Sequence, residues 1–191
     1  MTNSESEGAD DVSSEKEKLR SLASSITPTT TEESAAITTN VREVLRVREW
    51  RIVLTFLAMP GEVDLGELRN DPGLMLAVTR TPQTGPLTIH TLEDPLERHP
   101  FGYLQPRANA SPITPDGIEV VLVPGLLFAR DGGRLGHGKG YYDKLLSSFH
   151  HRPYLIGTTV DRRVMDVLPM THHDVSMDAI ATETGLVEVS R

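Results

Sequence analysis

Apolar residues in this chain gather in short, dense runs separated by polar, turn-forming stretches, a pattern that favours buried strands. Residues 50–58, WRIVLTFLA, are apolar, β-branched and aromatic, and Pro60-Gly61 ends the run. Residues 74–78, 87–92, 119–123, 154–160 and 179–182 are further strand candidates, the third ending at Pro124-Gly125. Helices are expected between them. One starts near Ser14, which can cap with Glu17 three residues on, and TPTTTEES breaks it. A second runs from 35 to about 49 with Ser34 as its cap, and short ones cover 65–69, 141–149 and 162–168. Residues 94–117 are proline-rich and support no long element, and residues 1–14 read as a disordered acidic leader. Strands alternating with helices predict one domain over 15–191, a three-layer α/β sandwich with a mostly parallel, Rossmann-like sheet.

Composition narrows the function classes. The 191 residues suit one domain with a sizeable core, and the 38% hydrophobic share is diluted by the polar first forty or so. A net charge of −8 disfavours nucleic acid and anionic membranes as partners. Between Arg130 and Arg152, however, five Lys or Arg face only Asp131 and Asp143, which suggests one small anionic ligand. The absence of cysteine excludes disulfides and cysteine catalysis. No apolar run approaches the roughly 18 residues of a membrane span. A cytoplasmic monomer is expected.

The most informative stretch is DGGRLGHGKGYYD at 131–143, with glycines at Gly132, Gly133, Gly136, Gly138 and Gly140 and a closing Asp143. It follows VVLVPGLLF, which reads as a buried strand meeting a turn. Glycines let backbone amides approach a phosphate closely. Gly133, Gly138 and Lys139 stand where G-x-x-x-x-G-K-[ST] needs them, but Gly140 replaces the magnesium-binding hydroxyl. GHGKGY is not G-x-G-x-x-G either, because Tyr141 takes the third glycine's place. Arg134 offers a planar fork to phosphate oxygens and Lys139 a mobile point charge. A surface hairpin whose glycines only serve turns is the alternative.

The same residues resemble the hallmark of the 5-formyltetrahydrofolate cyclo-ligase family, PG-x-x-F-[D]-x-x-G-x-RLG-x-G-x-GYYD, which stands here from Pro124 through Asp143. Other segments agree in order: Lys16 and Arg20 in K-x-x-L-R, Met59 to Asp64 after the first strand, Phe101-Gly102 with Pro106, and the HDV-x-x-D-x-x-x-TE ending. Ala129 departs from a common aspartate, and Gln105 from an acidic residue often found before the proline. The resemblance covers roughly residues 16–187. It implies a ligase that uses ATP and Mg2+ to close 5-formyltetrahydrofolate, possibly polyglutamylated, into 5,10-methenyltetrahydrofolate, releasing ADP and phosphate. The formyl oxygen would attack the γ-phosphate, and N10 would then displace phosphate from the imidoyl phosphate.

Carried over position by position, the resemblance assigns Lys16, Arg20, Arg134, Leu135, Gly136, His137, Gly138, Lys139, Gly140, Tyr141 and Tyr142 to the nucleotide. Met59, Asp64, His137, Gly138, Lys139, Gly140 and Tyr141 would contact the folate. Lys139, Arg134 and Tyr142 are the catalytic candidates, with Lys139 on the transferred phosphoryl group. Asp143 and Asp174 would hold magnesium, with Asp178 as an alternative. Bland readings stay beside these: Lys16 and Arg20 as a solvated helix face, Met59 as core, Asp64 as a helix cap, and one of Tyr141 and Tyr142 as core. The histidine pairs His150-His151 and His172-His173 are adjacent, and no H-x-x-x-H spacing exists, so zinc is disfavoured. The rival functions are a non-catalytic folate-binding paralogue and an ATP-dependent enzyme of the same fold acting on another N-acyl substrate.

Overall fold

The structure, a computed structural model, describes residues 3–189. Its helices are α1 (Asn3–Ser25), α2 (Thr31–Val47) and α3 (Tyr141–Ser147). The strands are β1 (Ile52–Thr55), β2 (Met75–Arg80), β3 (Thr88–Thr91), β4 (Leu96–Arg98), β5 (Leu104–Pro106) and β6 (Val120–Val123). They continue with β7 (Leu127–Ala129), β8 (Arg134–Leu135), β9 (Tyr154–Thr158), β10 (Val164–Met165), β11 (Ala179–Thr182) and β12 (Gly185–Glu188). Seven strands form the central sheet in the order β12-β11-β9-β6-β1-β2-β3. The five inner strands are parallel, and both edges are antiparallel.

The inner strands are apolar on both faces because both are covered. Val53, Val120, Leu122 and Ile156 join Ile37, Val41 and Leu45 of α2 in one core. Their neighbours Leu54, Val121, Val123 and Leu155 join Leu145 and Leu146 of α3 in a second. The expected three layers and mostly parallel sheet are therefore present. A small sheet, β10-β7-β8, packs beside the second layer, and Leu19 and Ala23 of α1, with Ile26 just after it, lie against its Leu127, Ala129 and Leu135. Phe128, fully buried on β7, reaches the central sheet at Gly157, where an added Cβ would lie 2.3 Å from its ring.

Several expected boundaries move. α1 begins at Asn3, well before Ser14. α2 is capped by Thr30, not Ser34: the Thr30 hydroxyl accepts from the Glu33 N–H at 3.2 Å, and Glu33 accepts from the Thr30 N–H at 2.9 Å. Ser34 is buried and accepts from the Asp64 N–H at 3.1 Å. The expected helix at 65–69 is a 3-10 turn, Gly66–Asn70. The expected helix at 162–168 is a 3-10 turn, Asp161–Arg163, running into β10, whose Val164 pairs with Phe128 in β7. So short a segment has no helical stability of its own, and a partner strand decides its form. The proline-rich 94–117 region holds the hairpin β4–β5.

Candidate functional site

A cavity of about 850 Å³ opens beyond the carboxyl ends of β1, β2 and β6, where Phe56, Thr81 and Pro124 form part of its wall. Open parallel sheets place ligands at this end of their strands. The glycine loop forms much of one side, from Arg134 through Asp143, and α1 contributes Lys16 and Arg20. Met59, Glu62, Thr79 and the β4–β5 hairpin with its flank, His99, Phe101 and Tyr103, complete it.

The loop leaves the small sheet at β8 and enters α3 at Gly140, whose φ of +64° is left-handed. Gly138, at φ +88°, lets α1 come close: an added Cβ would meet the Arg20 guanidinium carbon at 3.1 Å. Arg20 donates from Nε to the Gly136 carbonyl at 3.1 Å, tying α1 to the loop. Lys139 is exposed and has no hydrogen bond or ion pair among the described residues.

Arg134 is buried, donates from Nη2 to Asp143 Oδ2 at 2.8 Å, and lies 5.7 Å from the Tyr142 ring centroid. Its Nε is buried without a partner. Asp143 Oδ1 accepts from the Val175 N–H at 3.3 Å, which brings the Asp174 segment to the same wall. Asp174 Oδ2 receives Lys16 Nζ at 2.5 Å and the Thr171 hydroxyl at 2.9 Å. Burial alone would raise the Asp174 carboxyl, but Lys16 and the Thr171 donors outweigh it and hold the group below the ordinary carboxylate value. Tyr142, on the first turn of α3, has its phenol pushed up by burial, and its hydroxyl lies 3.4 Å from Thr79 Oγ1.

The fold thus brings together Lys16, Arg20, the loop from Arg134 to Tyr142, Met59, Asp143 and Asp174. Asp64 is not in this wall. Its Oδ1 accepts from the Gly66 N–H at 2.9 Å, a local turn role, while Glu62 lines the cavity and lies 3.5 Å from His137 Nε2. Asp178 is also elsewhere: its carboxylate takes Arg152 at 2.6 Å and the Leu155 N–H at 2.9 Å. Tyr141 and Tyr142 both pack on the α3 core and both line the cavity, so neither is core alone. Sequence reasoning missed Glu62 and the hairpin residues His99 and Tyr103. Nothing in the local pattern marks Glu62 over Asp64.

Residues 11–183 match the model of the 5-formyltetrahydrofolate cyclo-ligase family. The chain belongs to this family. Its relatives include the 5-formyltetrahydrofolate cyclo-ligase of Haemophilus influenzae, 22% identical over 74% of this chain and 81% of that protein. The yeast (Saccharomyces cerevisiae) cyclo-ligase is 37% identical over 38% of this chain, a stretch that spans 37% of the yeast protein. The structure resembles that of Aquifex aeolicus 5,10-methenyltetrahydrofolate synthetase at a TM-score of 0.75 and 23% identity, covering 94% of this chain and 93% of that one. At that identity the likeness concerns the cyclo-ligase fold. Among the described residues, no helix is long and apolar enough to cross a membrane.

Proposed function

We propose that this cyclo-ligase family member closes 5-formyltetrahydrofolate to 5,10-methenyltetrahydrofolate with consumption of ATP, acting as a monomeric cytoplasmic enzyme. The observation that carries the reading is the convergence of Lys16, Arg20, Arg134 and Lys139 with Asp143 and Asp174 on one cavity beside a glycine loop. A formamide oxygen is a weak nucleophile and a poor leaving group, and ATP supplies the activation by making it a phosphate ester. Such transfer needs alignment and charge neutralisation more than a covalent protein nucleophile.

The residues fit a magnesium nucleotide. Among the described residues, no group of three or more His, Cys, Asp or Glu could hold a metal ion. The two carboxylates Asp143 and Asp174 would hold magnesium jointly with phosphate oxygens and water, as such sites commonly do. When bound, the metal neutralises phosphate charge. Lys16 and Arg20 grip phosphates from α1, and glycines keep side chains off the approach. Arg134, fixed by Asp143, orients the loop. Lys139, which no protein group neutralises, meets the charge that develops on the transferring group. Met59, Glu62 and Tyr141 face the folate, Met59 as an apolar contact and Glu62 as an acceptor.

The test is purified protein with 5-formyltetrahydrofolate, MgATP and an absorbance record of the methenyl product. Product formation that requires both ATP and magnesium is expected. Folate binding with no product would instead indicate a non-catalytic paralogue, and a faster reaction with another N-acyl compound would move the assignment to that substrate.

A further inference from the structure

The β4–β5 hairpin presents three rings to the main cavity. Tyr103 stacks on His99 with ring centroids 4.4 Å apart, and Phe101 lies tilted beside His99 at 5.1 Å. The hairpin brings no lysine or arginine to that wall. A row of rings suits the flat part of a ligand rather than its phosphates. Yet a two-stranded hairpin is marginal on its own in water. No residue from 95 to 107 belongs to the hydrophobic clusters of the described residues, so apolar packing does not fix where the rings stand.

The attachment is polar. Its hydrogen bonds to the central sheet run to Arg80 and to Thr81, at the end of β2. Arg80 donates from Nε to the Pro106 carbonyl at 3.0 Å and from Nη2 to Glu97 Oε1 at 3.2 Å. The Tyr103 hydroxyl donates to Thr81 Oγ1 at 3.0 Å. Gln105 completes the cluster. It is 4% exposed and stands directly opposite Glu97 in the hairpin register. Its Oε1 accepts from the Thr81 N–H at 3.2 Å, and its Nε2 donates to Glu97 Oε1 at 3.2 Å. Thr81 lines the cavity, and Gln105 does not.

We propose that Gln105 is a positioning residue for the reaction, whose amide sets the ring stack of the hairpin where it holds a flat ring of the ligand. The ligands are those of the cyclo-ligase reading, on which this assignment rests, and both the folate and the adenine carry such a ring. Only a group that donates and accepts can face an N–H and a carboxylate at once. Burial opposes the charge on Glu97, but Arg80, Gln105 and the Ala108 N–H outweigh it and hold the carboxyl below its ordinary value. Glu97 is therefore an anion at neutral pH. An acidic residue, which often precedes this proline in the family, would set a second anion directly opposite it, and like charges so placed are destabilising. Gln105 acts through Thr81 and Tyr103, not by contact with the ligand.

The experiment is equilibrium binding of 5-formyltetrahydrofolate and of MgATP, each alone, to the full folded chain, so that no outcome depends on turnover. Gln105→Glu should weaken one of the two by about tenfold, the scale of a lost hydrogen bond to a charged group, and leave the other within about twofold. The ligand that weakens is the one whose ring the stack holds. Adding Glu97→Gln should return its affinity to within about threefold of wild type, because the swapped pair again offers an acceptor to Thr81 and a donor between the two side chains. A merely structural role would weaken both ligands together. If Gln105→Glu does not fold, Gln105→Met, which removes both bonds without adding charge, should show the same selective loss. If neither folds, Glu97→Ala, at a partly exposed position, should show it. Unchanged binding of both ligands, equal weakening of both, or a swapped pair no better than Gln105→Glu alone overturns the proposal. Absence of methenyl product from the wild type is a separate result, which sinks the cyclo-ligase reading and leaves these affinities standing.

Discussion

Lys139 carries a charge that no other described residue neutralises, in a loop where Arg134 is locked to Asp143, and across the cavity Lys16 of α1 is paired with Asp174. Those two cations are held by carboxylates, whereas Lys139 is free to follow a ligand. Lys139→Ala should lower turnover by about 10²–10³-fold, the scale of losing one positioned donor to developing charge. An exposed side chain supports no packing, so its melting temperature should match the wild type; unchanged turnover would remove Lys139 from the chemistry. Asp174 makes a different prediction. Its folded-state carboxyl lies below the ordinary value of 3.8, so its contribution to stability is full above that value and disappears as acid titrates the folded group. Wild type and Asp174→Asn should therefore differ most in denaturant midpoint near neutrality and converge in strong acid. A gap independent of pH would mean that the ion pair with Lys16 does not hold the segment. At this scale the sequence reveals residue types better than directions. Glu62 and Asp64 differ by two positions after one strand, and only the turn between them sends Glu62 to the cavity and Asp64 to the Gly66 amide.

Among the elements, the central strands were legible because a parallel strand buried on both faces leaves a continuous apolar run, as in Val120–Val123. The glycine loop was legible for a different reason: glycines this dense beside cations mark backbone that other groups approach closely, as Arg20 does at Gly138. The small sheet was not legible. β8 and β10 are each two residues long; β8 pairs with β7 in a short hairpin, but β10 joins it from a segment far along the chain, Val164 against Phe128, which no local window contains. Gly157 shows how that sheet meets the main one. It sits in the middle of β9 because Phe128 occupies the space a side chain would take, with ring atoms 2.3 and 2.5 Å from an added Cβ. Gly157→Ala should cost about 1–3 kcal/mol, the usual range for overpacking a rigid core. Chemical denaturation would read it, and the paired variant with Phe128→Leu should recover part of the loss because the two changes share one volume. A neutral Gly157→Ala would show that the small sheet can slide away from the large one.

For the whole molecule, the contacts that complete the cavity are those that close the chain on itself. Lys16 and Asp174 are separated by 158 positions, and their pairing brings α1, the first element, against a segment next to the last strands. Arg20 repeats the closure through the Gly136 carbonyl at 3.1 Å. Neither contact supports the central sheet, whose two cores are filled by α2 and α3. The position of α1 is therefore set partly by the groups proposed to hold the nucleotide, so ligand binding and α1 docking should be linked. A ligand at about 100 times its Kd adds about 2.7 kcal/mol to the folded state. Lys16→Ala, by weakening MgATP about tenfold, should remove about 1.4 kcal/mol of that increment. The measurement is thermal unfolding with and without MgATP. Lys18→Ala serves as the control, since Lys18 lies on the same helix but is exposed and lines no part of the cavity. Lys18→Ala should keep the full increment. An equal increment in Lys16→Ala would mean that α1 merely covers the cavity and takes no share in binding the phosphates.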